Sequence, residues 1–257
     1  MENTLNPQAP PPIRDVPAAR GLQWCTDGWR LFAAAPGVWI GIIVVWMLIN
    51  IALSMGGTIG NVASMILTPI LAAGVVLAAH AQDHGAALKF EQLFAGFSGG
   101  RMQPLLMLGV FNLALTLVIA AIVGGVIIAV VGMAGLMQFL ATDMLDLGSV
   151  DLSGIAFILL ALSPVLLIGF ALIGMAFWYA PALVSINHVA PAAALWLSFR
   201  ANLKNFGAML IYGLIMLAAA VVATIPLGLG WFVLGPVMAA SWYTTWRDVF
   251  GDPPAAV

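Results

Sequence analysis

The chain has 257 residues, 63% of them hydrophobic and 7% charged, with a mean hydropathy of +1.10. A soluble chain carries about 25% charged residues, whereas four stretches here carry none: residues 31–82, 102–142, 152–199 and 205–246. This pattern excludes an ordinary water-soluble globule. The net charge of −2, without any basic run, excludes the electrostatic footprint of a nucleic-acid binder.

Residues 1–19 are proline-rich and have neither the basic start nor the apolar core of a signal peptide. They are expected to form a disordered cytoplasmic tail. Residues 20–250 then form a single integral-membrane domain, and 251–257 a short C-terminal tail. A helix needs about 20 residues to cross a hydrocarbon core roughly 30 Å thick. On that basis spans are expected at 38–55, 59–79, 104–126 (with an extension toward 131), 154–178, 206–224 and 230–243. The last is short and contains Pro236, which predicts a kink. Residues 133–147 gain Asp143 and Asp146 after an apolar start. They are read as an interfacial helix, with a long, protruding third span as the alternative. The expected fold is an all-α polytopic membrane helix bundle of six helices in three hairpins, with interfacial helices.

The basic residues give this topology a direction. Arg14, Arg20 and Arg30 precede the first span, Lys89 and Arg101 separate the second from the third, Arg200 and Lys204 separate the fourth from the fifth, and Arg247 follows the sixth. The alternate loops hold no Lys or Arg. By the positive-inside rule both termini are cytoplasmic, in a bacterial inner membrane. Trp39, Trp178, Tyr179, Trp242, Tyr243 and Trp246 fall at the same predicted level and Trp231 at the opposite one, as expected of amphipathic rings at headgroup depth.

A repeat underlies the hairpins. Residues 21–41, 87–109 and 193–213 each place aromatic and basic residues before an apolar run, and the second span of each hairpin contains a proline, at Pro69, Pro164 and Pro236. Three such units share one orientation, unlike the inverted repeats of many transporters. The interfacial segments would rest apolar residues in the membrane and turn Arg30, Lys89, Arg101, Arg200 and Lys204 toward anionic headgroups.

His80, Asp83 and His84 form the compact ligand-like group. On a helix, residues 80 and 84 share a face with Asp83 beside it, so the three could hold zinc or a similar ion. Polar capping at the interface is the bland alternative, and Ala81 breaks the HExxH pattern. Asn50, and Asn112 with Thr116, fit interhelical hydrogen bonding or a solute path. Gly124, Gly125, Gly169 and Gly174 could permit close helix contact. Asp143, Asp146 and Asp151 lack EF-hand spacing. Cys25, the single cysteine, reads as a small apolar residue of an interfacial helix. No nucleophilic triad, charged mid-membrane pair or cofactor motif is seen, so no catalytic residue or cofactor is assigned.

The segments GWRLF at 28–32, LFAGF at 93–97, LKNF at 203–206 and YTTWRDVF at 243–250 resemble an uncharacterised proteobacterial family of multi-pass inner-membrane proteins with six predicted spans. The resemblance covers most of the chain from Gly21 to Phe250. It implies the topology and supplies no substrate or active residue. The expected function is non-enzymatic: organising membrane lipids, in particular anionic headgroups, or assisting a membrane complex, with a membrane-protein partner or a second copy. A transporter or exporter of a small or amphipathic solute is the alternative.

Overall fold

A computed structural model describes residues 10–142 and 152–251. Every regular element among the described residues is helical. In order they are α1 (Arg20–Ala34), α2 (Pro36–Ser54), α3 (Gly57–Asp83), a 3-10 helix (Phe90–Phe97), α4 (Met102–Thr142), α5 (Leu152–Trp178), α6 (Ala180–Ser185), α7 (Pro191–Lys204), α8 (Phe206–Thr224) and α9 (Trp231–Phe250).

Five described stretches are long and apolar enough to cross a membrane: Pro36–Ser54, Gly57–Asp83, Met102–Ala129, Leu166–Ser185 and Phe206–Thr224. The sixth expected span lies within α9. That helix has 20 residues, but its second half carries Ser241, Thr244, Thr245, Arg247 and Asp248, which removes it from the apolar set. The expected interfacial helix at 133–147 is corrected as far as it is described. Helix α4 continues unbroken for 41 residues to Thr142, a length of about 60 Å at 1.5 Å per residue. No proline follows Pro104 in that helix, and isolated glycines cost only about 1 kcal/mol each, so nothing stops it. Residues 143–147 and Asp151, and so Asp143 and Asp146, lie outside the described residues, as do residues 252–257 of the expected tail at 251–257.

The chain divides into two compact units, residues 1–110 with 175–257, and residues 111–174. In the first unit, α1 packs against α9 and α8, while α3 packs against α2, the 3-10 helix, α6 and α9. Among the close approaches that require glycine, two join α3 to the 3-10 helix. A Cβ on Gly74 would stand 1.8 Å from the Leu93 carbonyl oxygen, and one on Gly96 would stand 2.3 Å from that of Ile70. The 3-10 helix therefore lies backbone to backbone along the inner half of α3. By contrast, Gly124, Gly125, Gly169 and Gly174 have no described atom near a Cβ position, so close contact is made by other glycines than those the sequence suggested.

Burial is graded along the helices. In α3, residues 57–68 are mostly exposed or half-buried, while Pro69–Val76 is buried without interruption. In α9, Trp231, Phe232 and Val233 are exposed and most positions from Leu234 onward are buried. Helix α2 has only 11% of its most apolar window buried, against 56% for α3. Met47, Leu48 and Ile51 of α2 and Leu214, Leu217 and Val221 of α8 face outward, an arrangement suited to hydrocarbon.

Several aromatic residues expected at the lipid headgroups are instead inside the protein. Trp39, Tyr179, Tyr243 and Trp246 have no exposed surface. Buried indole N–H groups need acceptors, and they have them: Trp39 Nε1 donates to Gln82 Oε1 at 2.9 Å and Trp246 Nε1 to Asn187 Oδ1 at 3.1 Å. The N-terminal segment also differs from expectation. The Arg14 N–H donates to the Val249 carbonyl at 2.8 Å and the Val16 N–H to Asn205 Oδ1 at 2.9 Å, while Asn205 Nδ2 returns a bond to the Arg14 carbonyl at 3.0 Å. Residues 13–16 thus form a strap, and the expected disorder of 1–19 does not extend to them.

The second unit consists of the far part of α4 and most of α5, with Pro164 inside α5. Ile122, Ile128, Leu167 and Phe170 are exposed, and Thr116 Oγ1 donates to the Asn112 carbonyl within α4 at 2.8 Å.

Candidate functional site at the charged end

Helical spacing assembles a polar cluster from three elements. Arg20, Trp24 and Asp27 recur along one side of α1, and Tyr243 and Arg247 stand one turn apart on α9. Asp83 closes α3. Arg247 bridges all three elements: Nη1 donates to Asp83 Oδ2 at 2.8 Å and Nη2 to Asp27 Oδ2 at 3.2 Å. The Tyr243 hydroxyl donates to the same Asp83 oxygen at 2.9 Å, and the Arg247 guanidinium lies 6.0 Å from the Tyr243 ring centre. Arg20 Nε donates to Asp248 Oδ2 at 2.6 Å, joined there by Arg20 Nη2 and by Trp24 Nε1 at 2.8 Å. Arg20 and Arg30 each approach Asp27 at 3.7 Å. Three arginines meet three aspartates, and the cluster neutralises itself.

The cluster redirects the predicted metal group. His80 and His84 do come together, their rings stacked with centroids 4.3 Å apart, and His84 Nδ1 lies 2.7 Å from the His80 carbonyl oxygen. His80 also meets the edges of Tyr243 and Trp246. Asp83, however, directs a carboxylate oxygen to Arg247 and Tyr243. Among the described residues, no three His, Cys, Asp or Glu side chains are grouped so as to hold a metal ion. The sequence reading missed Asp27, Arg247 and Asp248 as a set. The signal was their occurrence as Asp-Gly-Trp-Arg and Trp-Arg-Asp in a chain so poor in charge, but their pairing crosses more than 200 residues.

Asn50 makes the contact expected of a packing residue: Ser64 Oγ on α3 donates to Asn50 Oδ1 at 2.6 Å, and Asn50 Nδ2 donates to the Trp46 carbonyl at 3.0 Å. It borders a cavity of about 480 Å³ between α2 and the start of α9, lined also by Trp46, Met47, Trp231 and Phe232. Burial pushes the Cys25 thiol above its ordinary value, against a weaker opposing backbone hydrogen bond, which makes it a poor nucleophile.

The chain is similar to a bacterial protein over almost its whole length. It is 28% identical to a probable inner membrane protein of Burkholderia thailandensis, over 92% of this chain and 93% of that protein. The chain is a polytopic helical membrane protein. The helical fold of the described residues, the five apolar stretches and the near-complete alignment with that relative agree on this point. No protein-family pattern matches the chain, and no solved structure matches it.

Proposed function

We propose that this is a non-enzymatic inner-membrane protein of six spans in three like-oriented hairpins, with α9 as the sixth span and both termini cytoplasmic, that organises anionic lipids at the cytoplasmic leaflet. The carrying observation is the outer surface of the segments preceding each hairpin. Helix α1 exposes Leu22 and Trp29 beside Arg30, the 3-10 helix exposes Phe90, Phe94 and Phe97 after Lys89, and α7 exposes Trp196 and Leu203 beside Arg200 and Lys204. Aromatic and apolar groups beside cations suit the headgroup boundary. The inner faces of these segments are fixed in the packed end, so the protein presents a rigid, lipid-ordering rim. Lipid analysis of protein purified in mild detergent tests this. Enrichment of anionic phospholipid over the bulk membrane is expected, and retained lipid matching bulk composition would refute it.

The cavity beside Asn50 gives the transporter reading its specific support. In proteoliposomes, solute flux that disappears in Asn50→Ala and Asn112→Ala would establish it. The hydrogen bonds that commit Asn50 to Ser64 and to Trp46 favour the first reading.

A further inference from the structure

The segments preceding the hairpins differ in how their charge is compensated. On α1, Arg20 is bound to Asp248 and Arg30 lies within 3.7 Å of Asp27. Before α4, Arg101 Nε donates to the Ser185 carbonyl at 3.1 Å, and Glu91 follows Lys89 by two residues. Helix α7 has no such balance. From residue 152 to residue 247 the chain contains no Asp or Glu, and every ion pair among the described residues is made elsewhere. Asp15, on the neighbouring strap, is exposed and is not ion-paired to either cation of α7.

The inner face of α7 is firmly held. Ser198 Oγ donates to the Met175 carbonyl at 2.7 Å and accepts the Tyr179 N–H at 2.9 Å, and Asn202 Nδ2 donates to the Met175 carbonyl at 3.0 Å. The opposite face presents Trp196, Arg200 and Lys204 at successive turns. Trp196 is 61% exposed and stacks on Phe199 at 5.9 Å, and Leu203 is half exposed beside it. Lys204 uses one N–H on the Ile13 carbonyl at 2.8 Å; an ammonium has two more.

We infer that the outward face of α7 is the lipid-selective surface of this protein: Arg200 and Lys204 bind the phosphate of an anionic phospholipid in the bilayer while Trp196 and Leu203 rest in the adjoining hydrocarbon. The inference rests on the lipid-organising reading and assigns it to one helix. Each basic residue near a membrane surface strengthens attraction to anionic lipid by about fivefold, so the two together give roughly 25-fold.

The test uses the full chain and lipid exchange with vesicles of phosphatidylcholine, with or without phosphatidylglycerol, read by mass spectrometry of the retained lipid. Wild type retains phosphatidylglycerol preferentially. Arg200→Gln, which breaks no hydrogen bond or ion pair among the described residues, reduces that preference about fivefold, and adding Lys204→Gln reduces it about 25-fold. The charge-keeping pair Arg200→Lys and Lys204→Arg retains most of it, and a thermal melt confirms that each variant is folded. Glycerol 3-phosphate in solution fails to displace the lipid. An unchanged preference in the folded double Gln variant, or equal displacement by glycerol 3-phosphate, overturns the inference. If the preference vanishes instead in Arg30→Gln with Lys89→Gln, the lipid reading stands and the assignment to α7 fails; if wild type has no preference, both fail.

Discussion

The two ends of α3 obey different solvents. Near the α2–α3 turn, the helix leaves most of its surface open, with Ile59 84% exposed. Near its charged end, Ile70, Ala73, Val75 and Val76 are fully buried among protein, and Gly74 admits a neighbouring backbone. Helix α9 repeats the gradient. The contrast shows where sequence detail determines the structure. At the charged end, glycines, indole N–H groups and six charged side chains each require particular partners. At the other end, apolar side chains need only hydrocarbon, and many would serve.

The sharpest break in this contrast comes from adding one methyl group. Gly74→Ala forces a Cβ against the Leu93 carbonyl and should destabilise the protein by about 3 kcal/mol, at the upper end of overpacking costs. Gly213→Ala in α8, where no described atom is near, should be neutral or slightly stabilising. Thermal melts in the same detergent compare the two; equal losses would erase the distinction between helix faces packed on protein and faces left open.

Arg247→Gln comes next. It removes charged hydrogen bonds to Asp83 and Asp27 and should cost about 2 kcal/mol. Arg30→Gln, whose side chain is 82% exposed, should stay within the measurement error of the melt. A smaller effect is expected for Asn205→Ala, which releases the strap. Trypsin should then cut after Arg14 several times faster in folded protein, at little change in melting temperature. Smallest is Ser64→Ala, which removes the bond to Asn50. Interhelical hydrogen bonds in membranes average about 0.6 kcal/mol, and a loss well above that would mean that the far end is more specifically packed than its exposure indicates.

The helices were legible because a bilayer imposes a simple pattern. Long uncharged stretches produced α2, α3, α5 and α8, and the start of α4, within a few residues, and prolines at 69, 164 and 236 were all accommodated inside helices. The end of α4 differs from expectation because the change toward polarity at 143 and 146 suggests a separate interfacial helix over 133–147, whereas α4 continues unbroken through 133 at least to Thr142. The site was much less legible. His80 and His84 were rightly paired by helical spacing, but Asp83 turned to Arg247, a choice made by how α3 meets α9. The burial of Trp39 and Trp246 was hidden for the same reason: depth in a membrane can be read from sequence, whereas the side of a helix that meets protein cannot when all sides are apolar. Helix α2, with its nearly uniform hydrophobicity, is the clearest instance.

The exposed far faces of α2 and α8 are expected to contact lipid, and the charged end to contact water. This division is tested most directly by spin-labelling single cysteines in a Cys25→Ser background, at Leu48→Cys, Leu217→Cys and Arg30→Cys, in lipid bilayers. Labels at 48 and 217 should be relaxed strongly by oxygen and weakly by a water-soluble nickel chelate, and the label at 30 should show the reverse. Nickel reaching positions 48 and 217 as readily as position 30 would contradict the account.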